Sequence, residues 1–224
     1  MSVQPRRLTF AKAVIGTALM AGALSGCAKN KGELVLEDGV GVTALRTACP
    51  TVEVAENTGD VTLFTDPSRT DSQAIDMVAT ITNLRATCND TVDPVSSEAT
   101  FDVLARRTDT RGARHVELPY FSIVMRGGTA VVAKRLGTVA IDFADGQDRA
   151  AARAKAGAFV DRAAASLPAS VREKLSRKRR AGQADAAVDP LSLPEVRKAI
   201  ASATFEHLVG FQLSPSQLEY NARR

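Results

Sequence analysis

Between about Leu45 and Phe143 apolar residues recur at every second position, and that period constrains the fold more than any other feature of the chain. Ile75, Met77, Ala79 and Ile81 alternate with Asp76, Val78, Thr80 and Thr82. Phe101, Val103 and Ala105 alternate with Asp102, Leu104 and Arg106, and Val139, Ile141 and Phe143 repeat the pattern. Side chains of a strand point alternately to opposite faces, so each stretch predicts a strand with one buried face. Phe121, Ile123 and Met125 run up to Gly127-Gly128, and Val131 begins a return. Paired glycines accept the positive φ of a tight turn, which makes this the clearest hairpin in the sequence. Short strands separated by turn residues, without alternating strand-helix units, predict an antiparallel β-sandwich of immunoglobulin or fibronectin-like general kind. The chain has no tryptophan, so one immunoglobulin hallmark is missing.

The composition then shifts. Asp148 to Leu167 is rich in alanine, the strongest helix former, and Phe159, Ala163 and Leu167 would share one helical face. A helix is expected there. Pro168 ends it, Ser170 can cap a second helix from Val171 to about Arg180, and Gly182 to Asp189 reads as a linker. A third helix starts at Pro194, where proline is tolerated, and includes Val196 and Ile200. Phe205, His207, Val209, Phe211 and Leu213 fall in one row of a last strand closed by Ser214-Pro215, and Ser216 to Asn221 can form a final helical turn. The expected class is mainly β with a helical insertion, α+β. The sandwich takes residues 45–145 and 203–214, the helical insertion 146–202 and a C-terminal tail 215–224.

The N-terminus constrains location. Arg6, Arg7 and Lys12 form a basic region without acidic residues, followed by an apolar stretch from Ala13 to Leu24. A helix of about twelve residues rises roughly 18 Å, short of a bilayer core of about 30 Å. Residues 1–26 are therefore read as a signal peptide rather than a membrane span. Leu24-Ser25-Gly26-Cys27 resembles the lipobox of bacterial lipoproteins, an aliphatic and two small residues before the cysteine to be modified. The resemblance implies cleavage before Cys27 by signal peptidase II and acylation of that cysteine, palmitate included. Two or more acyl chains give durable anchoring. Ala28 and Lys29 follow, without the aspartate that marks inner-membrane retention, so the resemblance implies the outer membrane with the body in the periplasm. Residues 27–44, with glycines at 32, 39 and 41, read as a lipidated tether.

Charge and cysteine usage narrow the function. The net charge of +4 includes three basic signal-peptide residues, which leaves +1 for 27–224 and removes support for nucleic-acid binding. Beyond Cys27 only Cys49 and Cys88 remain. In an oxidising compartment they are expected to form a disulfide, since no CxxC spacing and only two histidines, His115 and His207, accompany them.

Arg172, Lys174, Arg177, Lys178, Arg179 and Arg180 place six cations within nine residues. Such a cluster suits an anionic partner, whether another envelope protein, lipopolysaccharide or peptidoglycan, and it also suits a solvated helix end. Gly39-Val-Gly41-Val-Thr-Ala44 matches a loose dinucleotide fingerprint, but Pro50 leaves no room for the helix it requires. Asn89-Asp90-Thr91 is a formal glycosylation sequon without meaning in a bacterial setting. His207 is expected as a hydrogen-bonded core residue, and Tyr120 and Phe121 as core packing. No metal or cofactor pattern is present in the sequence.

Cys49-Pro50, Pro119-Tyr120-Phe121 and the ending Leu208-Val-Gly-Phe-Gln-Leu-Ser-Pro-Ser-Gln-Leu-Glu-Tyr-Asn221 resemble uncharacterised envelope lipoproteins of alphaproteobacteria. That resemblance implies an envelope location and no reaction. The expectation is a non-enzymatic, lipid-anchored accessory that binds another envelope component. The alternative is a periplasmic module that binds a small molecule or glycan.

Overall fold

The computed structural model describes residues 47–177 and 188–224. Cys27, the tether, the Gly39–Ala44 segment and three of the six clustered cations (Lys178, Arg179 and Arg180) lie outside the described residues. In chain order the elements are β1 (Thr51–Val54), β2 (Asp60–Phe64), β3 (Ile75–Asn89), β4 (Val95–Arg107), β5 (Arg114–Arg126), β6 (Ala130–Phe143) and β7 (Arg149–Val160). There follow α1 (Ala169–Ser176), α2 (Pro194–Ser202), β8 (Phe205–Phe211) and α3 (Pro215–Ala222). Two four-stranded sheets pack face to face, one in the order β1-β8-β5-β6 and the other β2-β3-β4-β7. The expected sandwich is present. One pairing departs from antiparallel order: β8 runs parallel to β1 on one side and antiparallel to β5 on the other.

Alternation becomes burial as expected in most strands. Met77, Ala79 and Ile81 of β3, Phe101, Val103 and Ala105 of β4, and Val139, Ile141 and Phe143 of β6 form the core between the sheets. Each large side chain taken out of water contributes about 1.5–3 kcal/mol. Gly127 and Gly128 turn the β5–β6 hairpin with φ of 63° and 72°. In β5, however, the buried residues are Leu118, Ser122 and Val124. Phe121, Ile123 and Met125 are half-buried on the outer face, and Phe121 and Ile123 lie opposite Gly210 and Leu208.

Residues 149–160 correct the sequence reading. They form β7, an edge strand paired with β4 over its whole length, where a helix was expected. The inward row is Ala150, Ala152, Ala154, Ala156, Ala158 and Val160, while Arg149, Arg153, Lys155 and Phe159 point outward. Pairing and burial against β4 override alanine's helix preference, which is worth only tenths of a kcal/mol per residue. The helical part of the 146–202 insertion therefore begins only at Ala169. There α1 follows Pro168 with no side-chain cap from Ser170, and α2 starts at Pro194 as expected.

The C-terminal residues are more than a tail. Ser214 and Gln217 form a reciprocal capping box for α3, and the Tyr220 ring meets Phe64 edge-on at 5.1 Å. The Asn221 side chain donates to the Asn57 and Asp60 carbonyls at 2.9 and 2.8 Å, which docks α3 on β2.

A one-residue bulge in β3 sets the position of the disulfide. Thr82 pairs with Asp102, but the next paired residues are Arg85 and Thr100, so β3 carries one residue more than β4 across this step. Asn83 takes φ of 51° there and donates to Asp102 Oδ2 at 2.7 Å. Because the side-chain period of a strand is two, the extra residue inverts parity. Odd residues face inward before the bulge, and Cys88, opposite buried Ser97, faces inward after it. There it forms the expected disulfide with Cys49, with a Cα–Cα distance of 6.0 Å.

The sandwich has two distinct ends. At one, the buried Arg107 guanidinium donates to the carbonyls of Thr110, Ala144 and Gln147 and lies 5.1 Å from the Phe143 ring, locking two loops together. At the other, Cys49 and Ala48 pack with Val95, Val124, Val160 and Phe205. The chain enters at that second end. The β5–β6 turn lies there too, as do the β3–β4 loop and the segment that joins β7 to β8. This is the entry end of the sandwich.

Candidate functional site

Both histidines can be placed. His207 is fully buried on β8, with Ser97 Oγ 3.0 Å from Nδ1 and Ser122 Oγ 2.8 Å from Nε2. A neutral imidazole carries one N–H and one lone pair, so one serine accepts a hydrogen bond and the other donates one. Burial pushes the His207 pKa below its ordinary 6.5 and keeps the ring neutral. The site resembles a serine–histidine pair only in composition, because Ser97 and Ser122 are themselves 2% and 5% exposed and no substrate can reach them. It ties the two sheets together, as expected for a core histidine.

His115 is exposed on β5. Its Nδ1–H donates to Asp142 Oδ1 at 2.6 Å across the β5–β6 pair, and Glu117 lies 3.9 Å from Nε2. Asp142 raises its pKa above 6.5. Among the described residues, no group of three or more His, Cys, Asp or Glu side chains is placed to hold a metal ion. None of the described helices is long and apolar enough to cross a membrane.

Tyr120 serves packing. Its ring meets Phe101 edge-on at 5.3 Å, and its hydroxyl donates to the Lys155 carbonyl at 2.8 Å. Phe121 lies on the outer face under the Lys134 ammonium, 5.7 Å from the ring centre. Of the clustered cations that the structure describes, Lys174 pairs with Glu195 at 3.1 Å and Arg177 with Glu173 at 3.2 Å. Both are exposed pairs of little energetic weight, so neither cation is withheld from a more strongly charged partner. Asn89 and Thr91 of the sequon close a local turn through the Thr91 N–H and the Asn89 side-chain oxygen at 3.0 Å.

Concavities among the described residues include two on the outer face of the β2-β3-β4-β7 sheet. A shallow depression of about 290 Å³ lies over Thr87, Ser96, Glu98 and Gly157, where the glycine leaves room beside Phe159. A groove of about 330 Å³ runs between α3 and β2, lined by Thr62, Phe64, Thr70, Asp76, Gln217 and Tyr220. The Thr62 hydroxyl beneath it is buried without a hydrogen-bond partner, while Asp76 is held by Arg114 through two contacts of 2.7 and 2.6 Å.

The least expected surface lies at the entry end. Among the described residues, six of the nine large hydrophobic residues left exposed belong to it: Val92, Val131, Val132, Phe159, Val188 and Leu191. Ala130 to Leu136 are all exposed on β6, the edge strand of its sheet. The sequence carried a signal for it. Val131 and Val132 are adjacent and break the alternation, next to Lys134 and Arg135. Comparison with protein-family models, with curated proteins and with solved structures finds no match.

Proposed function

We propose that this protein is a bacterial envelope lipoprotein, akin to the alphaproteobacterial group its motifs resemble. On this reading it is cleaved before Cys27, anchored through lipid on that cysteine and directed to the periplasmic face of the outer membrane. It acts without enzymatic chemistry, as a structural or assembly accessory that binds another envelope component. The observation that carries the reading is the clustering of unusual features at one end of the sandwich. The chain enters there beside a disulfide, and the segment bearing Arg172, Lys174 and Arg177 is inserted there between β7 and β8. A sandwich closed by a disulfide and filled by its own side chains suits a rigid spacer that presents such an end. The partner is an envelope protein, lipopolysaccharide or peptidoglycan, whose acidic groups match the cations. Charge reversal of Arg172, Lys174 and Arg177 together should abolish co-purification with that component, whereas unchanged retention counts against this surface.

The groove between α3 and β2 favours a second reading, a module for a small molecule or glycan. An aromatic edge with hydroxyl, amide and carboxylate groups around it is the chemistry that recognises sugar rings. Tyr220→Ala should then abolish binding to an oligosaccharide that the native chain retains, and no binding by the native chain to any of a peptidoglycan-fragment series removes this reading.

A further inference from the structure

The entry end holds both the arriving chain and an apolar, basic hairpin, and their positions are related. Across the first sheet Thr51 pairs with Glu206, Glu206 with Met125 and Met125 with Val131, so the start of β1 and the start of β6 lie in one row. Three strand spacings separate them, about 14 Å. Nineteen residues lie between Cys27 and Thr47, and such a length of chain extends at most about 70 Å. A lipid on Cys27 therefore tethers the domain through this end, within that reach.

The hairpin has the composition such a surface requires. Val131 is 57% exposed and Val132 52%, and because Val124 pairs with Ala133 but Met125 with Val131, Val132 is the extra residue of a bulge beside it. Lys134 and Arg135 follow after Ala133. Neither has a carboxylate partner among the described residues; they lie over the rings of Phe121 and Phe159 instead. Arg126, at the base of the turn, is likewise spent on the Ser202 carbonyl and the Phe205 ring. An exposed apolar bulge flanked by uncompensated cations makes a poor flat protein interface, which needs about 800 Å² per partner. It is well matched to the boundary between acyl chains and anionic headgroups.

We infer that the β5–β6 hairpin is a second membrane contact, in which Val131 and Val132 insert at the headgroup boundary of an anionic lipid surface while Lys134 and Arg135 meet its phosphates. The inference rests on the lipid-anchored reading, because the anchor is what brings this end to the surface. It gives the anchored domain a fixed orientation.

The absence of natural tryptophan provides a clean probe. The full acylated chain carrying Val132→Trp is reconstituted into vesicles of phosphatidylethanolamine and phosphatidylglycerol, beside Leu104→Trp. Leu104 is 53% exposed on β4, nine residues and about 30 Å along the strand from Val95 at the entry end. Emission from the Val132→Trp chain should shift to shorter wavelength and be quenched by brominated acyl chains, while emission from Leu104→Trp stays unchanged. Lys134→Ala with Arg135→Ala should weaken the contact roughly 25-fold, at about five-fold per charge. Vesicles of phosphatidylcholine alone should weaken it as well.

Flotation reads the anchor separately from the probe. A chain that floats with an unshifted Val132→Trp signal overturns the hairpin contact and leaves the anchor standing. A chain that does not float removes the anchor. In that case a shift on adding anionic vesicles still supports the contact, and no shift overturns it. A shift that appears without vesicles and grows with protein concentration assigns the hairpin to a second copy of the chain and overturns the inference.

Discussion

Tyr120 reaches past Gly137 to donate its hydroxyl hydrogen to the Lys155 carbonyl at 2.8 Å, joining β5 of one sheet to β7 of the other. The reach depends on the glycine. A Cβ at position 137 would lie 2.4 Å from Tyr120 Cζ and 2.5 Å from its hydroxyl oxygen.

Gly137→Ala should therefore displace the ring and cost about 1–3 kcal/mol. Tyr120→Phe, which loses only the hydrogen bond, should cost about 1 kcal/mol. Denaturant unfolding of both, and of Gly137→Ala in a Tyr120→Ala background, checks the relation. The alanine penalty should shrink sharply once Tyr120 is removed to Ala, because the clash goes with it. A penalty of equal size in either background would show that Gly137 matters for another reason.

The register of β3 beyond the bulge at Asn83 should control disulfide formation. Deleting Asn83 removes the extra residue and leaves Cys88 opposite Ser97, so the bridge should persist, whereas an alanine inserted after Asn83 moves Cys88 to the outer face and leaves Cys49 and Cys88 as free thiols that alkylate without reductant. Asn83→Gly, which accepts the φ of 51° readily, should keep the bridge. Loss of the bridge removes a loop constraint across a sequence separation of 39 residues, worth about 4 kcal/mol in the chain-entropy model. An insertion variant that resists alkylation would contradict the parity argument.

Arg107 is 2% exposed and satisfies three carbonyls with one guanidinium. Arg107→Met should cost about 2–4 kcal/mol, since it strands acceptors that buried methylenes cannot pair. Arg107→Lys should recover only part of this, because an ammonium lacks the planar fork. Thermal unfolding of the two variants reads the difference, and equal stability of Lys and native chains would contradict it.

The two histidines give opposite pH signatures. The pKa of His207 is lowered by burial, so the unfolded state takes up a proton first as pH falls below 6.5. Its contribution is present above that pH and is lost toward acid. The pKa of His115 is raised by Asp142, so its contribution is present below 6.5 and disappears as pH rises through the higher folded value. Melting curves between about pH 5 and pH 8 should show less acid destabilisation in His207→Gln than in the native chain, and more in His115→Asn. The reverse order would overturn both assignments.

How far the sequence carried the fold depended on what filled each strand. In β3, β4 and β6 large apolar residues alternate with polar ones, and period two alone placed them. The Gly127-Gly128 turn and the Cys49–Cys88 pair were legible because few other conformations or partners were open to them. In β7 the inward row is alanine up to Val160, so the alternation survived only in Arg149, Arg153, Lys155 and Phe159 on the outer face, while helix propensity pointed elsewhere. The phase of β5 was hidden because its outer row is apolar too, and because Ser122 takes the inner row to meet His207. The parallel pairing of β1 with β8 joins residues about 155 apart and leaves no local trace. The entry-end surface was legible only as a broken alternation at Val131-Val132. Its meaning depends on Thr51 and Val131 lying in one row, a relation that only the folded chain supplies.

The central claim is that a lipid on Cys27 holds this domain at a membrane. Intact mass and membrane fractionation of the native protein beside Cys27→Ala test it most directly. The account predicts a native chain that starts at Cys27, carries the added mass of acyl groups and sediments with membranes, and a variant that has neither the mass nor the association. A native chain that is soluble and unacylated would contradict the account, and the outer-membrane assignment would fall with it.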